Sequence, residues 1–564
     1  MSLGTPPATT VPASGSASGS ASDQPVPAAD KRDDTTASAE ARARASAGPR
    51  PGADETQLPP VRLWLGRILG PLLALAVYFL LPADPLLTTA ARTTAAVVVL
   101  VAVWWMTEAI PLSATALVPL VAFPLLGVLG MEQAAAPYAA PTVFLFMGGF
   151  MLALAMQKWN LHKRIALLAM RLIGTRPRQL VLGVMVATAF LSMWVSNTAT
   201  TLMMLPIGLS VLAITNRDGA ASGAGGEPPT SGNAVGNRDS RNFAVGLMLA
   251  IAYAATIGGL STLIGSPPNL ILAGFVEQNY EGVTIGFADW MKIGVPLSAV
   301  FLVIAWLAIT RVIFPARMPE IAGGRQVVQA ELSKLGRMSR GEWNVLVIFA
   351  STALLWVFRE PLTEWSALTA YLPFVANLSD AAIAIAAAVA LFLVPVSVRR
   401  AQPTLDWRTA QSGLPWGVLL LFGGGLSLAA AVQETGLSGY FGAQVSGLGT
   451  LPTILLVATV CLIVLLLTEL TSNTATAATF LPVLGGVAVG IGLDPMLLLL
   501  PAAMAATCSF MLPVGTPPNA IVFGSGHVTM GEMVRAGLWL NLVGVVLITA
   551  ATYLLGGWAL GIRW

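Results

Sequence analysis

The chain has 564 residues, of which 55% are hydrophobic and 10% are charged, and its formal net charge is +3. Soluble proteins carry about 25% charged residues, so the composition excludes an ordinary soluble domain and indicates an all-α polytopic membrane protein. Cys461 and Cys508 both lie in apolar segments, which argues against a disulfide framework. No nucleophile–base or metal-ligand cluster is present, so neither an enzyme nor a cofactor is expected, and nothing points to nucleic acid.

The first segment, 1–60, is rich in Ala, Ser, Thr, Pro, Gly and Asp and has no apolar periodicity. Such a composition cannot bury a core, so a disordered tail is expected. It lacks the continuous apolar region of a secretory signal peptide.

An extra N-terminal span is expected within 61–89, at about 62–82. Further spans follow at about 90–106, 112–130 and 140–158. The next stretch, Lys158 to Arg178, has six basic residues and no acidic one, with apolar residues at helical spacing. This pattern indicates an amphipathic helix on the cytoplasmic surface of the membrane. Counting back four spans places the N-terminus in the cytoplasm as well.

The segment 179–213 is apolar except for Ser196-Asn197-Thr198-Ala199-Thr200 near its middle. Each half is roughly 25 Å long as a helix, which is too short to cross a bilayer comfortably. A re-entrant hairpin with the polar motif at its tip is the favoured interpretation, since Ser, Asn and Thr supply backbone partners there. One long kinked helix is the alternative.

Residues 214–241 are polar and Gly-rich, and a flexible insertion is expected there. A broken helix is predicted over 242–275, because Pro267-Pro268, in the motif Gly265-Ser266-Pro267-Pro268-Asn269, ends a helix. A span at about 291–314 and a basic cytoplasmic linker, 315–342, complete this half.

The second half, 343–564, repeats the pattern, with spans at about 343–358, 379–397 and 413–433. The motif Ser472-Asn473-Thr474-Ala475-Thr476 lies at the centre of a second predicted hairpin, 451–490. A second broken helix is predicted over 495–526, around Gly515-Thr516-Pro517-Pro518-Asn519. A last span at about 533–558 leaves the C-terminus outside the cell.

The two halves keep the same register. Ser472 follows Ser196 by 276 positions, and Thr516 follows Ser266 by 250. The second offset is smaller by 26 positions (276 minus 250), which matches the insertion at 214–241 in the first half only. The predicted topology makes 90–314 and 343–564 inverted repeats, giving about 11 transmembrane helices plus two re-entrant hairpins. Inverted repeats with broken helices at the membrane midplane are typical of secondary transporters, although small polar residues also join helices structurally.

The polar breaks are suited to ions. A broken helix presents N–H groups at one cut end, which favour an anion, and carbonyl groups at the other, which favour a cation. None of the four breaks contains Lys or Arg. A small dianion would therefore need co-bound cations for neutralisation, which is a physical reason for coupled transport.

Two acidic residues lie near these segments. Glu469 is three positions before Ser472 in an apolar arm. It could take a proton or a cation, or only bind neighbouring hydrogen-bond donors. The second role is favoured because its repeat counterpart is Met193. Glu108, at a predicted span end, is expected to be structural.

At these motifs, and at Ser509-Phe-Met-Leu-Pro-Val-Gly-Thr-Pro-Pro-Asn-Ala-Ile-Val522, the sequence resembles the divalent anion:sodium symporter family. The resemblance covers about 60–564. It implies a homodimer in the cell membrane, with scaffold and transport domains and an elevator mechanism. It also implies Na⁺ ligands at Ser192, Ser196, Asn197, Gly265, Thr468, Ser472, Asn473 and Gly515. The implied anion contacts are Asn197, Thr198, Ser266, Asn473, Thr474, Thr516 and Pro517.

The expected function is Na⁺-coupled symport of a C4-dicarboxylate such as succinate, malate or fumarate across the lipid bilayer. A Na⁺-independent dicarboxylate antiporter of the same fold, and citrate or sulfate as substrate, remain alternatives. An ion channel fits less well, because a channel needs a continuous path rather than paired half-sites.

Overall fold

The structure is a computed structural model that describes residues 60–82, 87–173, 176–221, 231–280, 282–316, 324–444 and 452–563. The predicted tail, 1–60, lies outside this range except for Pro60. Within the described ranges, nine helices are long and apolar enough to cross a membrane, which confirms the all-helical membrane class. They are Leu63–Leu80, Thr89–Thr107, Met131–Lys158, Arg238–Gly259, Phe287–Ile313, Arg340–Glu364, Trp416–Glu434, Asn473–Gly490 and Met530–Leu560.

Two of the predicted spans are shorter helices. The segment predicted at 112–130 forms Leu112–Thr115 and Val118–Leu125, and the segment predicted at 379–397 forms Asp380–Leu393. The second helix ends before Pro395, which begins one strand of a short antiparallel ribbon, Pro395–Ser397 with Gln402–Pro403. Proline disfavours helical geometry in the residue before it, which explains this early end. Other short helices are Leu161–Ile173, Gly324–Leu335, Ser366–Tyr371, Trp407–Gly413 and Leu437–Gln444.

Both polar motifs interrupt helices. The first hairpin has arms Pro177–Ser192 and Asn197–Ala221, and the second has arms Thr453–Thr468 and Asn473–Gly490. In each hairpin four residues separate the arms, the asparagine of the motif begins the second arm, and the two arms contact each other. The helix breaks therefore fall where the sequence predicts them.

Both proline motifs also break helices. The first broken helix consists of Ser231–Gly259, a 3-10 turn at Leu263–Gly265, and Pro267–Asn279. The second consists of Met496–Thr507 and Pro517–Gly524.

Helical structure extends into the segment predicted as a flexible insertion. The helices that end at Ala221 and begin at Ser231 occupy much of 214–241, and only 222–230 lies outside the described residues. Similarly, the predicted linker 315–342 contains the helix Gly324–Leu335.

Each broken helix contacts the hairpins of both repeats. The longer half of each broken helix packs against the hairpin of its own repeat. The shorter half packs against the other repeat, so Pro517–Gly524 contacts Asn197–Ala221 and Pro267–Asn279 contacts Asn473–Gly490. Each hairpin therefore contacts the broken helices of both repeats. Pattern and register cannot reveal these contacts, because they carry no information on which surfaces pack together.

Two glycines permit close backbone approach next to the site. A Cβ atom on Gly258 would lie 2.3 Å from the carbonyl oxygen of Ala189, in the first hairpin. A Cβ atom on Gly537 would lie 2.3 Å from the carbonyl oxygen of Phe510, in the second broken helix. Small residues allow membrane helices to approach this closely, and any larger side chain at either position would separate the elements that form the site.

The basic segment forms the amphipathic helix Leu161–Ile173. Arg164, on this helix, is buried, and its Nε donates to Glu342 Oε1 at 2.7 Å. Its Nη1 and Nη2 donate to the carbonyl groups of Gly336 and Leu335 at 3.0 and 3.3 Å. Glu342 also accepts from the backbone N–H of Ser339 at 2.7 Å. This buried ion pair joins the amphipathic helix to the start of the second half of the chain.

A second ion pair joins two helices. It connects the end of Pro141–Lys158, the last helix of the span Met131–Lys158, to the start of the helix Trp407–Gly413. Lys158 Nζ lies 2.7 Å from Asp406 Oδ2, and Asp406 also caps its helix by accepting from the Thr409 N–H at 2.9 Å. The hydrogen bond from Lys158, followed by that from the Thr409 N–H, lowers the pKa of Asp406 well below its usual range.

Replacing Arg164 with alanine should destabilise the protein by about 3 kcal/mol, because it leaves the buried Glu342 carboxylate without its cation. Thermal unfolding of the purified protein, followed by tryptophan fluorescence, measures the effect. Lys334→Ala is the matched control, since Lys334 pairs with Glu331 at an exposed position and its removal should change stability by less than about 1 kcal/mol. Equal effects of the two variants would contradict the role assigned to Arg164.

Candidate functional site

The first half-site is built around the asparagine that begins the second arm of the first hairpin. Ser192 Oγ, at the end of the first arm, donates to Asn197 Oδ1 at 2.5 Å. The Ser196 hydroxyl accepts from the backbone N–H of Ala199 at 3.3 Å. Gly259 lies directly against this amide, because a Cβ atom there would be 2.8 Å from Asn197 Oδ1. The chain thus brings Ser192, Ser196 and Asn197 together with the end of the first broken helix.

The second half-site repeats this geometry. Thr468 Oγ1 lies 2.7 Å from Asn473 Oδ1 and 2.8 Å from the carbonyl oxygen of Ala506. Its single hydroxyl proton serves one of these acceptors at a time. Asn473 Nδ2 donates to the carbonyl group of Thr507 at 3.3 Å. The pairs Ser192–Asn197 and Thr468–Asn473 are therefore structural equivalents, as the common offset of 276 predicts.

The asparagines that follow the paired prolines stabilise both breaks. Asn269 Nδ2 donates to the carbonyl groups of Gly259 and Thr262 at 2.9 and 2.8 Å. Asn519 Nδ2 donates to those of Ser509 and Leu512 at 3.2 and 3.1 Å. Sequence reasoning quoted both Pro-Pro-Asn motifs but did not assign the asparagines a role. Their repetition at the offset of 250 was the signal that could have found them.

The helix N-termini supply donors unequally. Pro267-Pro268 and Pro517-Pro518 begin the second halves of the broken helices and have no N–H groups to offer. The second arms of the hairpins begin at Asn197 and Asn473, whose first turns keep their backbone N–H groups. Backbone N–H groups of the kind that bind anions are therefore concentrated at the hairpin tips. At the broken helices the N-cap residues are Ser266 and Thr516, which are buried and whose hydroxyl groups make no capping bond.

The remaining predicted residues line these same breaks. Gly265 and Gly515 are buried, and a Cβ atom on either would lie within 2.6 Å of a neighbouring oxygen, so the local backbone requires glycine. Thr198, Ser472 and Thr474 are half-buried, and within the described residues their hydroxyl groups have no protein partner. Pro517 is exposed, in contrast to its buried neighbour Thr516. The structure thus brings the predicted residues together in two groups of neutral oxygen and nitrogen atoms.

Glu469 makes the second half-site different from the first. This buried carboxylate accepts from the backbone N–H groups of Phe510, Met511 and Leu512 at 2.7 to 3.1 Å. It also accepts from Ser509 Oγ at 3.0 Å and from Asn541 Nδ2 at 2.7 Å. Glu469 thus binds neighbouring donors, as the favoured interpretation expects. The carboxylate holds the loop that contributes Thr516 to the site.

Glu108, expected to be structural, ends the helix Thr89–Thr107. It has a left-handed backbone with φ of 51° and donates its N–H to the carbonyl group of Trp104. This is a helix C-cap, a conformation more often adopted by glycine or asparagine.

Within the described residues, no group of three or more His, Cys, Asp or Glu side chains is arranged to hold a metal ion. The oxygen atoms at the breaks come instead from hydroxyl, amide and carbonyl groups, a donor set that suits hard cations such as Na⁺.

Paired neutral half-sites at helix breaks, inside an all-helical membrane-spanning chain, define a multi-pass membrane transporter. A family model described as "Sodium:sulfate symporter transmembrane region" matches residues 62–561. The chain belongs to this family of sodium-coupled anion transporters.

The chain is also similar to proteins named "Sodium-dependent dicarboxylate transporter SdcS". It is 42% identical over 500 residues to that of Staphylococcus saprophyticus subsp. saprophyticus, covering 88% of this chain and 92% of the relative. It is 43% identical over 501 residues to that of Staphylococcus aureus, with the same coverage. Among solved structures, the YdaH transporter of Alcanivorax borkumensis matches with a TM-score of 0.48 and 15% identity, covering 89% of this chain and 99% of that one.

Replacing Glu469 with glutamine should destabilise the loop at 509–512. The new NH₂ group would face backbone N–H donors, and the unpaired buried groups should cost about 1–3 kcal/mol. Thermal unfolding and substrate uptake of the purified, reconstituted protein measure this effect. Glu434→Gln, at an exposed helix end, is the control and should leave both unchanged. Wild-type stability and uptake in Glu469→Gln would refute the structural role of the carboxylate.

Proposed function

We propose that this protein is a secondary active transporter that carries a C4-dicarboxylate together with Na⁺ across the cell membrane. Membership in the family and the similarity to relatives named sodium-dependent dicarboxylate transporters support this substrate class. The observation that carries the proposal is the duplicated hydroxyl-to-asparagine pair, Ser192–Asn197 and Thr468–Asn473, at two helix breaks.

In this proposal each pair serves a cation. The hydroxyl oxygens of Ser192 and Thr468, the amide oxygens of Asn197 and Asn473, and carbonyl groups near Gly265 and Gly515 supply neutral oxygen ligands. Ser196 and Ser472 adjoin the same breaks. At the second half-site, rotation of the Thr468 hydroxyl proton away from the amide frees Asn473 Oδ1 for the cation, because the carbonyl group of Ala506 can accept that proton instead.

The dianion would lie between the half-sites. Its carboxylates would accept from the backbone N–H groups at the hairpin tips. They would also accept from side chains of the hairpins, namely the hydroxyl groups of Thr198 and Thr474 and the amide groups of Asn197 and Asn473. At the broken helices the donors would be the hydroxyl groups of Ser266 and of Thr516, which precedes Pro517. No basic side chain is hydrogen-bonded to these residues within the described part of the chain. Burying two negative charges among neutral donors is unfavourable unless cations accompany them, so this site favours coupling over uptake of the anion alone.

We also propose the finer architecture that the family resemblance implies. The chain would form two inverted repeats, 90–314 and 343–564, arranged as scaffold and transport domains that work by an elevator mechanism. It would be a homodimer in the plasma membrane, with the N-terminus in the cytoplasm and the C-terminus outside. Crossed packing of the broken helices against opposite hairpins supports a transport unit that moves as one body.

Uptake of labelled succinate into proteoliposomes tests the proposal, with and without an inward Na⁺ gradient. We expect accumulation only when the gradient is present, and competition by malate and fumarate. Uptake that ignores Na⁺ but requires internal dicarboxylate would identify an antiporter instead. Competition by citrate or sulfate, without competition by malate, would reassign the substrate.

Asn197→Ala and Asn473→Ala should each reduce succinate uptake by about 10- to 100-fold, since each removes a hydrogen bond to a charged ligand together with a cation ligand. Asn279→Ala is the matched control, because Asn279 lies at a helix end and donates to the carbonyl group of Phe275. Membrane insertion, measured by yield and gel filtration, should be normal for all three. Near-normal uptake in both site variants would contradict the assignment.

A further inference from the structure

Thr507 contacts residues of both half-sites. It is fully buried at the end of the helix Met496–Thr507. Its carbonyl group accepts from Asn473 Nδ2 at 3.3 Å, in the second half-site. Its hydroxyl oxygen lies 3.1 Å from Ser266 Oγ and 3.4 Å from Asn269 Oδ1, both in the first broken helix. One residue therefore connects the amide of one hairpin tip to the break of the other repeat.

The proton inventory allows two arrangements of this contact. The NH₂ group of Asn269 donates to the carbonyl groups of Gly259 and Thr262, which places its Oδ1 toward Thr507. This amide oxygen can only accept a hydrogen bond. In the first arrangement Ser266 donates to Thr507, and Thr507 donates to Asn269 Oδ1 or to the carbonyl group of Ala503 at 3.4 Å. In the second arrangement Ser266 donates elsewhere, and its oxygen accepts the proton of Thr507.

Among the described residues, the first repeat has no equivalent of this connection. At the repeat offset of 250, the counterpart of Thr507 is Ile257, which has no hydroxyl group. Asn519 Oδ1, the counterpart of the Asn269 acceptor, has no hydrogen-bond partner among the described residues. The contact of Thr507 with Ser266 and Asn269 is therefore specific to the second repeat and does not follow from the internal symmetry.

We propose that Thr507 is a positioning residue that couples the anion to the cation at the second half-site. This inference rests on the proposed function. A carboxylate that accepts a hydrogen bond from the Ser266 hydroxyl group selects the second arrangement, in which Thr507 donates to Ser266. The contact then holds Ser266 toward the anion, while the carbonyl group of Thr507 continues to hold Asn473, a proposed cation ligand.

The coupling factor is the ratio of succinate dissociation constants at low and at saturating Na⁺. It can be measured by isothermal titration calorimetry on the full-length purified protein. Thr507→Val removes the hydroxyl group at nearly constant volume and should lower the factor about fivefold, which corresponds to about 1 kcal/mol. Thr507→Ser keeps the hydroxyl group and should retain the factor.

Thr256→Val is the matched control. Thr256 is fully buried in the first broken helix, and its hydroxyl group has no partner among the described residues. This variant should keep the wild-type factor. If Thr507→Val does not fold, Thr507→Cys, with a weak S–H donor, replaces it in the same measurement.

If the wild-type coupling factor is well above one and Thr507→Val leaves it unchanged, the inference about Thr507 is wrong while the proposed function stands. A factor that falls equally in Thr507→Ser would also overturn it, because packing rather than the hydroxyl group would then be responsible. A wild-type factor of one would contradict the proposed function, and the inference with it.

Discussion

Every backbone polar group within a bilayer must find a partner inside the protein, and the four helix breaks of this chain depend on how that requirement is met. Paired prolines reduce the requirement at the broken helices, since they have no N–H groups that need acceptors. The asparagine after each pair then binds two of the freed carbonyl groups, from Gly259 and Thr262 in one repeat and from Ser509 and Leu512 in the other. The motif thus stabilises the break while the hairpin asparagines, Asn197 and Asn473, remain available for the proposed ion-binding role.

The two repeats meet the same requirement with different chemistry. In the second repeat, the N–H groups of residues 510–512 point to the buried carboxylate of Glu469. In the first, Met193 replaces this glutamate, and its carbonyl group accepts from the Thr262 hydroxyl group. Trp290 Nε1 donates to the carbonyl group of Leu260 at 2.9 Å. The half-sites therefore share the same types of polar group but differ in the electrostatic field around them.

Local features of the fold and site were predictable because they depend on local rules. Apolar length, proline chemistry and exact repetition of a five-residue motif located both hairpins, both broken helices, and Asn197 and Asn473. Ser192 and Thr468 were expected as their partners only from the family resemblance. The crossed packing of broken helices and hairpins was not predictable, since it depends on the shapes of distant surfaces. The roles of Asn269 and Asn519 were not predicted, because proline chemistry predicts where a helix breaks but not which side chain binds the carbonyl groups that the break frees. Helical structure in 214–241 was missed because a polar, Gly-rich composition outweighed the helices that continue into it from both sides.

Neutral donors at the site bear on mechanism. A pocket with Lys or Arg would attract a dianion at all times and release it slowly. Hydroxyl and amide groups provide geometry without a fixed positive charge, so the affinity for the anion in the proposed function depends on the cations that are present. Loss of the cations on the low-Na⁺ side then weakens anion binding and promotes release. The link through Thr507 strengthens this dependence, because it makes the position of Ser266 sensitive to the same residue that holds Asn473.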